Sequence, residues 1–154
     1  MAMTDTNIRE LVRTGEVKID PFDESSLQPA GYDLKAAQGV VMNSGEQGLL
    51  ATGETVELCS SVLGVLHLKS SFAREGLFAS LALIDPGFRG QLTVSLFNAG
   101  KDTLKIESGE PFLQLTLIRL SSSPERSYSG KYQGSVGVVE SKRETTIKNS
   151  SNYS

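Results

Sequence analysis

The sequence has one cysteine, one histidine and no tryptophan in 154 residues. With Cys59 alone no intrachain disulfide can form, which fits a reducing compartment. A zinc deaminase with H-x-E and C-x-x-C ligands is excluded, because the ligands do not exist. Cys-His and Ser-His mechanisms have only His67 to draw on, so a general base is expected to be a carboxylate. Basic excess is missing too. A net charge of −3 and a pI of about 5.2 cannot neutralise a run of phosphates on DNA or RNA, so no nucleic-acid polymer is expected as a partner. A single nucleotide needs only a few local donors and stays open. No apolar run approaches the roughly 20 residues of a bilayer span, and Met1 to Glu10 has neither the basic nor the apolar region of a secretory leader. A soluble, cytoplasmic chain without a membrane partner is expected.

What is present fits one domain. Thr4 or Asp5 is placed to cap a helix over about residues 5–14, with Ile8, Leu11 and Val12 on one face and Gly15 as its stop. From Tyr32 to Leu120 the apolar residues fall in short runs of period two, as in Gln91 to Asn98 and Phe112 to Leu120. Turn signals separate them at Asn43-Ser44-Gly45, Asp85-Pro86-Gly87, Asn98-Ala99-Gly100 and Ser108-Gly109. An all-β domain over residues 1–120, a distorted jelly-roll sandwich or barrel, is expected. Beyond Leu120 the chain is rich in Ser, Lys, Glu and Tyr without alternation. Residues 121–154 read as a flexible C-terminal arm, with Lys131-Tyr132-Gln133-Gly134 as its one distinctive island.

Four segments carry the chemistry. They are Pro29-Ala30-Gly31-Tyr32-Asp33-Leu34-Lys35-Ala36, then Lys69-Ser70-Ser71-Phe72-Ala73-Arg74-Glu75-Gly76-Leu77, then Leu83-Ile84-Asp85-Pro86-Gly87-Phe88-Arg89-Gly90-Gln91, and finally Ser108-Gly109-Glu110-Pro111-Phe112-Leu113-Gln114-Leu115. In this order they resemble the motifs of the deoxyuridine triphosphatase (dUTPase) and dCTP deaminase family. The helix, the phrase Ile19-Asp20-Pro21-Phe22-Asp23 and the Lys131–Gly134 island resemble its archaeal deaminase branch. The resemblance implies the family's fold, a homotrimer with sites between subunits, and a deoxynucleoside triphosphate as substrate.

It also implies roles. Asp85 is the expected catalytic base that activates water for attack on the α-phosphorus; by itself, an Asp in such a turn reads as a cap on its own backbone. Asp33 is expected to hold waters of a Mg²⁺ bound mainly by the triphosphate, or else to pair with a nearby Lys or Arg. Lys69, Ser70, Ser71, Arg74 and Gln114 are assigned to phosphate, and Phe88 to the face of the deoxyribose, where it leaves no room for a 2′-hydroxyl. Lys131 and Tyr132 stand where the family's arm closes over substrate. His67 reads as a strand residue satisfied by a local hydrogen bond, and Cys59 as a small apolar filler.

One position divides the two activities. Deaminases carry a proton-shuttling Glu where this chain has Ser95, and a hydroxyl with no base beside it is a poor proton acceptor near neutral pH. Hydrolysis of dUTP to dUMP and pyrophosphate is the expected activity. A deaminase or bifunctional enzyme, with a carboxylate such as Glu75 standing in, and a catalytically silent nucleotide-binding homologue are the alternatives.

Overall fold

The computed structural model describes residues 1–144. Thr4 caps helix α1 (Asp5–Thr14): its hydroxyl accepts the Asn7 N–H while the Asn7 side chain accepts the Thr4 N–H. Two donors that a helix start leaves unpaired are thereby satisfied. Gly15, with φ of 79°, closes the other end by donating to the Val12 carbonyl. Ile8 and Leu11 are buried and Val12 packs against the same core.

Eleven strands follow among the described residues. The four-stranded sheet runs in the order β1 (Val17–Asp20), β5 (Gln47–Leu58), β9 (Arg89–Asn98), β7 (Leu77–Ser80). The five-stranded sheet runs β2 (Leu27–Gln28), β3 (Gly31–Lys35), β11 (Pro111–Arg119), β6 (Val62–Leu68), β8 (Leu83–Ile84). A small ribbon pairs β10 (Leu104–Ile106) with β4 (Val40–Met42). The pairings between these strands are antiparallel. This is the expected distorted jelly roll, and apolar residues of both large sheets enter one core.

Period two explains which side chains enter it. In β9 residues Leu92, Val94 and Leu96 point inward, leaving Gln91, Thr93, Ser95 and Phe97 on the outer face. Each fully buried Leu contributes about 1.5–3 kcal/mol. In β11 the alternation is broken once. The pairing with β3 shifts between Pro111 and Leu113, so Phe112 is an extra residue and is buried like Leu113, not shared with the face of Gln114 and Thr116.

A second helix, α2 (Ser70–Arg74), is one turn long, too short to print a helical period in the sequence; Phe72 anchors it in the core. After Ser80 the chain leaves β9, crosses to the other sheet as β8, and returns through the Asp85–Phe88 turn. From Gln91 to Val94, β9 is therefore free of β7.

Among its described residues the arm forms no helix or named strand, and it hydrogen-bonds to β9 and to the Asp85–Phe88 turn. Ser135 bridges Gly90, its carbonyl accepts the Gln91 N–H at 2.8 Å, and Gly134 N–H donates to the Arg89 carbonyl at 2.8 Å. Gln133 reaches back to the turn, accepting the Arg89 N–H at 2.8 Å and donating to the Gly87 carbonyl at 2.9 Å. Glycine is required at both contact points. A Cβ on Gly87 (φ 86°) would lie 2.8 Å from the Ser127 side chain, and one on Gly90 (φ 154°) 2.8 Å from the Ser135 nitrogen.

Candidate active site

A cavity of about 470 Å³ opens along the free stretch of β9, walled by the segment from Ser80 to Phe88 and by the arm. Four of the residues singled out in the sequence meet there: Asp85, Phe88, Ser95 and Tyr132. The Asp85–Phe88 turn is closed by its own backbone, Phe88 N–H to the Asp85 carbonyl at 3.1 Å. The Asp85 carboxylate is exposed and accepts no hydrogen bond among the described residues, so it is not spent on capping the turn. Among the described residues it is the only carboxylate in the lining.

Phe88 is 7% exposed, and Tyr128 stands edge-on to it. Nothing about Tyr128 stands out within a Ser-rich arm, yet three contacts fix it. Its N–H donates to the Pro86 carbonyl at 2.8 Å, its hydroxyl accepts the Tyr132 N–H at 3.3 Å, and its ring packs on Phe88. Tyr132 in turn lies under the Lys142 ammonium, 5.6 Å from the ring centroid. Gln91 and Thr93, also missed, hold the arm across the cavity through Gly137 and Val139. Lys131 is outside the lining, its ammonium donating to the Lys142 carbonyl at 3.3 Å.

The remaining candidates gather elsewhere. Lys69 follows β6 and is the N-cap of α2, whose first turn presents Ser70 and Ser71 and whose last residue is Arg74. The first turn lacks a side-chain cap, and both serines and Arg74 are exposed. Gln114 and His67 are partners in the β11–β6 register, and Gln114 and Asp33 in the β11–β3 register, so the three share a face. His67 is exposed and makes no hydrogen bond among the described residues, where a local partner was expected. Cys59 is half-buried, with its sulfur 3.3 Å from the Ser61 hydroxyl.

Asp33 is 5% exposed. Its Oδ2 accepts from the Lys69 ammonium at 2.5 Å and from the Gln28 amide at 3.2 Å, whereas its Oδ1 is buried with no partner among the described residues. No group of three or more His, Cys, Asp or Glu among the described residues could hold a metal. The residues present fit a Mg²⁺ of the kind that keeps its waters and takes oxygen ligands from a phosphate chain, with one spare carboxylate oxygen for a bound water.

A second buried carboxylate was not anticipated. Glu54, 3% exposed, lies in the irregular stretch where the β5–β9 register shifts, and accepts the Lys35 N–H at 3.0 Å. Burial pushes its pKa up, opposed by that hydrogen bond. Nearby, the Lys35 ammonium hydrogen-bonds Asp23 and, with the Ser25 hydroxyl and N–H, pulls the Asp23 carboxyl down to about 2.

A family profile described as dCTP deaminase-like matches residues 35–120. The chain belongs to the dCTP deaminase-like family. Among curated members, the dCTP deaminase of Pyrococcus horikoshii is 40% identical over 93% of this chain and 98% of its own length. A protein of Sulfolobus islandicus rod-shaped virus 1, named "Probable deoxyuridine 5'-triphosphate nucleotidohydrolase", is 31% identical over 94% of this chain and 100% of its own. Among solved structures, the dCTP deaminase of Agrobacterium tumefaciens superposes with a TM-score of 0.66 at 18% identity, which speaks to fold alone. That match covers 78% of this chain and about half, 48%, of the other. The family is one of enzymes acting on deoxynucleotides and takes in both deaminases and dUTPases. The strand that follows the Asp85 turn puts Ser95 in the cavity wall. Glu75 is exposed beyond the end of α2 and has no place in that wall.

Proposed function

We propose that the protein is a dUTP diphosphatase, converting dUTP and water to dUMP and pyrophosphate. The observation that carries this reading is the cavity wall itself: Asp85 is its one carboxylate, and Ser95 stands where a deaminase needs a second. Attack of water on phosphorus needs one base and a positioned chain of phosphates. Deamination needs a group that moves protons at the pyrimidine ring as well.

Asp85 orients a water in line with the bond from the α-phosphorus to its leaving oxygen and takes the water's proton as the new P–O bond forms. Pyrophosphate leaves with the electron pair of the broken bond. Phe88, held by Tyr128, lies against the deoxyribose and excludes a 2′-hydroxyl. Lys69, Arg74, Ser70, Ser71 and Gln114 receive the phosphates, and Tyr132 covers the bound nucleotide. Mg²⁺, when bound, neutralises charge on the triphosphate, and Asp33 Oδ1 would accept a hydrogen bond from one of its waters.

The reading requires more than one copy of the chain. β8 pairs with Gly64 and Val65, so Asp85 lies beside the start of β6, while Lys69 follows its end. At the rise of a strand the two are about 20 Å apart, too far to serve one triphosphate. A second subunit would have to bring its Lys69–Arg74 turn to this cavity, which supports the homotrimer that the family resemblance implies.

The second reading, dCTP deamination, is favoured by relatives such as the 40% identical one named dCTP deaminase. A product assay with Mg²⁺ and dUTP, dCTP, dTTP and UTP, scoring pyrophosphate and ammonia separately, decides between them. Pyrophosphate from dUTP is expected. Ammonia from dCTP would establish the deaminase, and no product from any would leave a nucleotide-binding homologue.

A further inference from the structure

Ser95 has a hydrogen-bonding polarity that its residue type alone does not dictate. A serine hydroxyl can donate or accept. Here the Gln47 side chain, diagonal to it across the β5–β9 pair, donates its amide N–H to Ser95 Oγ at 2.8 Å. Accepting that bond occupies one lone pair of Oγ and leaves the hydroxyl proton uncommitted; no other acceptor holds it among the described residues. Ser95 lines the cavity, as does Ser80, its direct partner in the β7–β9 pair. These two hydroxyls mark the end of the cavity away from the Asp85 turn, with Leu66, Leu92 and Val94 along the wall between.

We propose that Ser95, fixed as an acceptor towards Gln47 and so as a donor towards the cavity, selects uracil over cytosine by donating its proton to the oxygen on C4. The proposal rests on the dUTP reading and adds the residue that chooses the base. With the α-phosphorus at Asp85 and the sugar on Phe88, the edge of the pyrimidine farthest from the sugar reaches the Ser80–Ser95 end. That edge is where the two bases differ. Uracil presents an acceptor at C4, like thymine, while cytosine presents an amino group, a donor. Two donors facing each other leave both unsatisfied in a half-buried site. The oxygen on C2 is common to both bases and cannot discriminate. Backbone groups of the crossing segment satisfy either base according to how the chain lies, but the Gln47–Ser95 pair sets its polarity through side chains and is open to substitution.

The test is calorimetric binding of the non-hydrolysable α,β-imido analogues of dUTP and dCTP, with Mg²⁺, to the full-length protein. The wild type is expected to bind the uracil analogue about tenfold more tightly, the scale of one hydrogen bond made or left unmade. Ser95→Ala should lose most of that preference by weakening the uracil analogue. Gln47→Glu is the sharper variant. A carboxylate only accepts, so Ser95 would turn its proton to Glu and present lone pairs to the cavity; the preference should shift towards the cytosine analogue. Gln47 is exposed, so this change leaves the fold intact. A uracil preference unchanged in both variants would overturn the role of Ser95 and leave the dUTP reading standing. Failure of the wild type to bind either analogue would overturn both.

Discussion

Tyr128 meets Phe88 edge to face, with ring centroids 5.7 Å apart and planes inclined at 62°. The arm thus supports the Phe88 ring, to which the proposed function assigns the sugar, and the same tyrosine hydroxyl holds the Tyr132 backbone. An edge-to-face pair contributes about 0.5–1.5 kcal/mol beyond its buried area. Tyr128→Ala should therefore raise KM for dUTP several-fold and relax the discrimination against UTP, with a smaller effect on kcat. Tyr128→Phe keeps the ring and should restore the discrimination. Steady-state kinetics on both nucleotides checks this; a kcat loss without a change in the UTP ratio would assign Tyr128 a purely structural part.

Asp85→Asn removes the proton acceptor and keeps the shape of the turn, which is closed by backbone atoms. The expected loss in kcat is about 10²- to 10⁴-fold, the usual contribution of a positioned base. Affinity for the imido analogue of dUTP should change little. Wild-type turnover in the variant would remove Asp85 from the mechanism.

The Asp33–Lys69 pair is asymmetric: the Asp side chain is 7% exposed and the Lys side chain 33%. Lys69→Met strands a buried charge, for which about 3–5 kcal/mol of destabilisation is expected. Asp33→Asn leaves an ammonium that reaches water, so its cost should be clearly smaller. Urea unfolding of the two variants tests the order, and equal losses would mean that the pair is solvated alike on both sides.

Two carboxyls give acid stability opposite signs. Glu54, pushed up by burial from its ordinary 4.5, keeps its proton longer in the folded chain, so its contribution is full below 4.5 and is lost as pH rises through the folded value. Asp23, pulled from 3.8 to about 2, contributes above 3.8 and loses that contribution as pH falls towards 2. Relative to wild type, Glu54→Gln should gain stability as pH rises above 4.5, and Asp23→Asn should lose it as pH rises from about 2 to 3.8. Unfolding midpoints across that range are the measurement; a pH-independent offset for Glu54→Gln would show that Glu54 titrates as it does in the unfolded chain.

Much of this was legible in the chain. Period-two runs and Gly-, Asn- and Pro-marked turns announced the sheets, and Thr4 and Gly15 bounded α1, because those signals come from local backbone preference. Asp85 and Phe88 were legible through their motif. Tyr128, Gln91 and Thr93 were not, since their importance comes from the arm lying on β9. That docking joins backbone hydrogen bonds at Gly134 and Ser135 to side-chain bonds of Gln91, Thr93 and Gln133, and polar contacts of this kind leave no trace in hydrophobic pattern. The bulge at Phe112 was hidden for a related reason: one extra residue shifts register without altering composition. Glu54 looked like any surface acid until the β5 irregularity buried it.

The placement of Asp85 and Lys69 at opposite ends of β6 has a genetic consequence. Each protomer in an assembly would lend one half of a site and borrow the other, so two different defects need not be inherited together by any one site. Mixed assemblies of a protomer bearing Asp85→Asn with one bearing Arg74→Ala would contain sites with both groups intact. Co-refolding the two inactive proteins should regain a fraction of wild-type turnover that neither recovers alone.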